Sequence, residues 1–197
     1  MKNLRTVIFL DIDGVLQPFG KRERFEHGLI KLREELALKY NNDKYLEMDQ
    51  FDLGGVYYDW DKEAVERLRK LCIEANAEIV ITSDWRLFSP LSRLKDYFKL
   101  HDLDKYITGE ISRISGKYRC GEVTEYLKDH PDIKKFVIID DAYFRDFSEK
   151  YPEQFVHCRY VFDDECYKKA LNILTEKQKH YPLQRNMLRI LGKGSSL

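Results

Sequence analysis

Val7-Ile8-Phe9-Leu10-Asp11-Ile12-Asp13-Gly14-Val15-Leu16 is the stretch from which the fold is read. Four apolar residues bounded by charge and a glycine describe a short strand buried on both faces, of the kind found inside a parallel sheet. Such a strand should end in solvent, yet two carboxylates follow it, one residue apart. If the extended conformation persists, Asp11 and Asp13 point the same way and repel each other unless a cation or a shared proton offsets their charge. Gly14 has no Cβ and allows a sharp turn or a close ligand approach. These features predict a metal-binding lip at the carboxyl end of a strand.

The same pattern returns twice. Glu78-Ile79-Val80-Ile81-Thr82-Ser83-Asp84 and Lys135-Phe136-Val137-Ile138-Ile139-Asp140-Asp141 are apolar runs that end in polar residues. Ahead of the first, Ala64, Val65, Leu68, Leu71, Cys72 and Ala75 share one helical face, with Asp61 placed as the cap. A helix over 121–127, a fourth strand over 155–161 and a closing helix over 164–174 complete the alternation. Cys166, Ala170, Leu171 and Leu174 form the apolar side of the last helix. Strands alternating with helices predict an α/β, Rossmann-like parallel sheet flanked by helices and joined by right-handed crossovers.

Ligands of such sheets bind beyond the carboxyl ends of the strands. Asp11, Asp13, Thr82, Ser83, Asp140 and Asp141 are therefore expected along one edge, with Lys117 and Arg119 just before the intervening helix. Carboxylates, a hydroxyl and a cation are the inventory for phosphate chemistry on Mg²⁺, which prefers oxygen ligands. Trp85 and Arg86, in TSDWR, either line this pocket or serve as a packing tryptophan and a surface arginine.

Bulk properties frame this reading. A chain of 197 residues suits one well-filled domain. Lys plus Arg and Asp plus Glu balance at 34 each, so no global field draws the chain to nucleic acid or an anionic membrane. Cys72, Cys120, Cys158 and Cys166 form no CxxC pair, which favours reduced, buried thiols in a cytoplasmic protein. No stretch reads as a signal peptide or a membrane span.

The motifs as a set resemble the haloacid dehalogenase (HAD) superfamily of phosphohydrolases. DIDGVL resembles the first motif, DxDG, with Val15 where a threonine is often found. Thr82 resembles the second motif, with Ser83 as the competing assignment. Lys117, in SGKYRCGEV, or Arg119 resembles the basic residue of the third motif, and IIDD resembles the fourth. The resemblance implies that Asp11 attacks phosphorus to form an aspartyl phosphate and that Asp13 acts as acid and then base. It further implies that Asp141 binds Mg²⁺ directly with Asp11 and the Asp13 carbonyl, that Asp140 orients ligands from behind, and that Thr82 and the basic residue hold the phosphoryl group.

Residues 17–60 separate the first strand from its helix by much more than an ordinary loop. Phe25, Leu29, Leu32, Leu36 and Tyr40 recur at helical spacing there, and the resemblance makes this insertion a small cap. The core is read as 1–180, and the tail, 181–197, as a docked helix with a frayed end. Tyr57, Tyr58, Trp60 and Trp85 either pack or stack a nucleobase. The expected partner is a small phosphorylated substrate. TSDWR, GEVTEYL and VIIDD also resemble a subgroup found with RNA-repair proteins, which makes a polynucleotide end an alternative substrate. A sugar-phosphate mutase and a non-catalytic binding module are the remaining alternatives.

Overall fold

The computed structural model describes residues 4–142 and 145–176. Among these, five parallel strands form one sheet: β1 (Arg5–Leu10), β2 (Glu78–Ile81), β3 (Ile107–Glu110), β4 (Ile133–Asp140) and β5 (Phe155–His157), in the order β3-β2-β1-β4-β5. The Rossmann-like α/β architecture read from the alternating pattern is the one observed. β1 sits at the centre, and Val7, Ile8, Phe9 and Leu10 are 0% exposed. Because side chains alternate along a strand, Ile8 and Leu10 enter one core cluster while Val7 and Phe9 enter the other, across the sheet.

Register explains why the polar ends meet. Leu10 lies opposite Ile81 on one side and Ile139 on the other. The residues that follow therefore emerge at one level, and Asp11 N donates to Ile139 O at 3.0 Å while Thr82 N donates to Leu10 O at 2.9 Å. From β1 the chain moves outward to β2 and β3, then returns to lay β4 on the other flank of β1. That reversal of direction leaves a crevice beyond β1 and β4, where ligands of open α/β sheets bind.

Residues 17–60 fold as a 3₁₀ turn (Glu23–Glu26), α1 (Leu29–Tyr40), α2 (Lys44–Glu47), α3 (Gln50–Gly54) and a π turn (Gly55–Asp59). Asp61 N donates to Leu16 O at 2.7 Å, so the insertion leaves the core where it entered. Leu32, Leu36, Leu53 and Trp60 are buried in the same cluster as Ile8 and Leu10. The fully buried Asp59 carboxylate accepts from Arg24 N at 2.9 Å and from Arg24 Nε, which ties the first turn of the insertion to its last. Phe25, read as the start of the helical face, lies instead in the 3₁₀ turn and is exposed, because α1 begins only at Leu29.

The remaining helices are α4 (Lys62–Ala75), α5 (Leu91–Lys99), α6 (Arg119–Asp129), α7 (Arg145–Lys150) and α8 (Asp164–Thr175). Asp61 caps α4 by accepting from Ala64 N at 2.8 Å. The fourth strand is shorter than the 155–161 expected, since β4 ends at Asp140 and offers no partner past His157. Arg159 and Tyr160 accordingly turn outward. β3 and α5 carry signals too weak to stand out: β3 is a four-residue edge strand with one buried side chain, and α5 buries only Leu94, Tyr97 and Phe98. All four cysteines are buried and free. Among the described residues no helix is long and apolar enough to cross a membrane. The docked helix expected over 181–197 lies outside the described residues.

Candidate active site

Asp11, Asp140 and Asp141 converge so that one carboxylate oxygen of each lies within 4.8 Å of the others. Asp11 Oδ1 accepts from Ile12 N at 2.8 Å, and Asp140 Oδ1 accepts from Ala142 N at 2.8 Å. Arg119 reaches the remaining oxygens, its Nη1 donating to Asp11 Oδ2 at 2.5 Å and Asp140 Oδ2 at 2.7 Å. Burial opposes charge on this guanidinium, but Asp140 and Asp11 outweigh it and hold its pKa above the ordinary value. Burial, followed by the neighbouring Asp11 charge, pushes the Asp140 and Asp141 carboxyls up. Three hard oxygen donors, two of which burial and the Asp11 charge push toward the neutral form, are a donor set a divalent cation such as Mg²⁺ fits.

Gly14 makes the cluster sterically feasible. Its φ is +69°, and a Cβ there would stand 2.5 Å from Asp141 Oδ2. Gly14→Ala is therefore expected to lower stability by about 1–2 kcal/mol and to displace Asp141 from the acidic trio. Urea unfolding and a crystal structure of the variant measure the two effects.

Of the two hydroxyls after β2, Ser83 Oγ accepts from Trp85 N at 3.5 Å and caps the 3₁₀ turn Asp84–Leu87. Thr82 Oγ1 is buried and has no hydrogen-bond partner among the described residues. A buried donor left without an acceptor is costly, so Thr82 is the hydroxyl free to serve a ligand. Of the two basic residues at the start of α6, Arg119 enters the acidic cluster. Lys117 turns to the surface, where Nζ pairs with Glu125 at 2.5 Å.

Arg86 is not a surface arginine. Its side chain is 2% exposed and that of Glu122 is 0% exposed, with Nη2 donating to Glu122 Oε2 at 2.6 Å. Burial pulls its pKa down, opposed by Glu122. The same guanidinium donates to the Thr82 carbonyl, to Ser83 O at 2.8 Å and to Ile111 O at 3.0 Å, while Glu122 Oε1 accepts from Ile114 N at 2.9 Å. One ion pair thus fastens the loops after β2 and β3 to the first turn of α6, which carries Arg119.

Asp13 stands apart from the acidic trio. Its Oδ2 accepts from Trp85 Nε1 at 2.9 Å and its Oδ1 from Gln17 Nε2 at 3.3 Å. Burial raises its pKa, with the Trp85 hydrogen bond opposing, so a larger fraction stays protonated than for an ordinary aspartate. Asp13 opens onto a cleft of about 430 Å³ lined by Phe19, Lys21, Arg22, Arg24 and Phe25, among others. Tyr57, Tyr58 and Trp60 do not line it: Tyr58 stacks on His27 at 3.9 Å, and Trp60 is buried against Phe98 and His101. Trp85 reaches Asp13 through its ring nitrogen and packs edge-on against Tyr97.

Residues 7–162 match a family model described as the HAD domain in Swiss Army Knife RNA repair proteins. The chain belongs to this HAD family. No curated protein matches the chain. Membership brings phosphohydrolase-type function as the general class, and HAD domains typically depend on a metal. The matched span contains β2 to β5, β1 from Val7 onward and all four polar segments resembling HAD motifs.

Two features of this HAD domain escape sequence reasoning. The Arg86–Glu122 pair joins residues 36 positions apart, which no local periodicity reveals. The cleft residues Phe19, Lys21 and Arg22 follow no periodic pattern, and only the path of the insertion sets them beside Asp13.

Proposed function

We propose that this HAD domain is a magnesium-dependent phosphatase that hydrolyses a phosphomonoester through Asp11. The convergence of Asp11, Asp140 and Asp141 beside Arg119 and the unpartnered Thr82 hydroxyl carries this reading. Asp11, Asp141 and the Asp13 carbonyl would hold Mg²⁺, with Asp140 orienting from behind. The ion supplies charge neutralisation between the carboxylates and the anionic phosphoryl group.

Asp11 attacks phosphorus, and the bond to the leaving oxygen breaks as Asp13 delivers its proton there. Water then attacks the aspartyl phosphate, giving its proton to Asp13 and releasing the Asp11 carboxylate. Arg119 exchanges its carboxylate contacts for phosphoryl oxygens, and Thr82 Oγ1 donates to a third, so the transition state is stabilised chiefly by electrostatics.

A second reading refines the substrate. The matched family model describes RNA repair proteins, which favours a phosphorylated nucleic-acid end over a small metabolite.

A panel of nucleotides, sugar phosphates and 3′-phosphorylated oligonucleotides, assayed for free phosphate with Mg²⁺ and with excess EDTA, tests both readings. Release that requires Mg²⁺ supports the phosphatase, and release undiminished by EDTA counts against it. In the first chemical step, read as leaving-group release in a single turnover, Asp13→Asn is expected to slow esters with poor alkoxide leaving groups by about 10²–10⁴-fold while slowing p-nitrophenyl phosphate far less, because that leaving group needs no acid. Equal losses on both substrates would remove Asp13 from the acid role.

A further inference from the structure

The proton donor marks where the leaving group lies. If Asp13 protonates the departing oxygen, the organic part of the substrate extends from Asp13 away from the acidic trio. The surface on that side is the 430 Å³ cleft walled by residues 17–25. Its chemistry is uneven. Arg24 is committed to Asp59 and to Phe51 O at 2.8 Å. Lys21 is held only loosely, 3.7 Å from Glu23, and exposed Arg22 has no ion-pair partner among the described residues. Two cations are thus available beside a site built for a phosphoryl group. Next to them Phe19 and Phe25 are 67% and 61% exposed, Phe25 resting against Phe51, at 6.0 Å between ring centroids, and the Arg24 guanidinium. One weakly paired and one unpaired cation beside exposed rings match a ligand that pairs an anion with a planar ring.

We propose that this cleft is a leaving-group subsite for a second phosphate, gripped by Lys21 and Arg22, with the adjoining base lying against Phe19 and Phe25. This rests on the phosphatase reading for its orientation. The shared chemistry, a phosphomonoester whose leaving group bears its own phosphate and base, is offered by a nucleic-acid end and by a free nucleoside bisphosphate.

The test compares adenosine 3′-monophosphate, adenosine 3′,5′-bisphosphate and a 3′-phosphorylated trinucleotide, using the full chain with Mg²⁺. The bisphosphate or the trinucleotide is expected to exceed the monophosphate in kcat/KM by about tenfold or more, an advantage that shrinks as salt is raised. Lys21→Gln/Arg22→Gln is expected to erase that ratio, and the single charge reversal Arg22→Glu to lower it. Whichever of the two richer substrates is preferred identifies the source of the second phosphate. A ratio near one in the wild type, or one untouched by both variants, overturns the subsite. Calorimetric binding of the same three ligands to Asp11→Asn, with and without the Lys21 and Arg22 substitutions, reads the ratio without turnover. Failure of the phosphatase reading and failure of the subsite are therefore seen separately.

Discussion

Asp11→Asn is expected to reduce phosphate release by on the order of 10⁴-fold or more, with the fold intact. An amide oxygen is too weak a nucleophile to attack phosphorus, so no partial function should survive at this position. The substitution is nearly isosteric, and Asp140 still faces Arg119 at 2.7 Å, so the guanidinium keeps a carboxylate partner. Unfolding in urea should therefore change little. Steady-state phosphate release and near-ultraviolet circular dichroism together check the expectation. Activity within tenfold of wild type would exclude Asp11 as the nucleophile.

The second large effect concerns stability. Glu122→Gln removes the charge that faces Arg86 at 2.6 Å, in a place where neither side chain reaches water. Breaking a buried pair from one side leaves Arg86, among the described residues, only the exposed Asp84 carboxylate, 3.3 Å away, and typically costs about 3–5 kcal/mol, a large share of the roughly 5–15 kcal/mol that holds an ordinary domain together. Arg86→Met should cost a similar amount, since it also strips donors from the carbonyls of Thr82, Ser83 and Ile111. The double substitution Arg86→Met/Glu122→Leu should recover part of the loss, because it leaves no buried charge unpaired. Urea unfolding of the three variants measures this, and single losses below about 1 kcal/mol would contradict the bracing role. Stabilised double variants should still show a raised KM, since the loop bearing Thr82 loses its anchor.

Much of the architecture was legible because β1, β2 and β4 are buried runs whose polar termini repeat one pattern. Their parallel pairing then forces Asp11, Thr82 and Asp140 to one edge, so a pattern along the chain became a site in space. Three other matters depended on contacts between distant residues. The choice between Lys117 and Arg119 rests on which way each side chain leaves the chain as it enters α6, and two residues of sequence do not encode it. The choice between Thr82 and Ser83 follows from Ser83 being consumed as a cap. Arg86 stayed open between a pocket residue and a surface arginine because arginine is seldom fully buried without a partner, and its partner lies on another helix. Asp11 and Asp13, two positions apart in a persisting strand, would share a face. The strand stops at Leu10, and the turn through Gly14 sends Asp13 toward Trp85 instead.

The covalent step at Asp11 is tested most directly by acid-quenching a reaction with ³²P-labelled p-nitrophenyl phosphate, using Asp13→Asn so that hydrolysis of the intermediate is slowed. Label should remain on the protein, be released by hydroxylamine as acyl phosphates are, and map to the peptide containing residue 11. Label on any other residue, or sustained turnover by Asp11→Asn, would contradict the account.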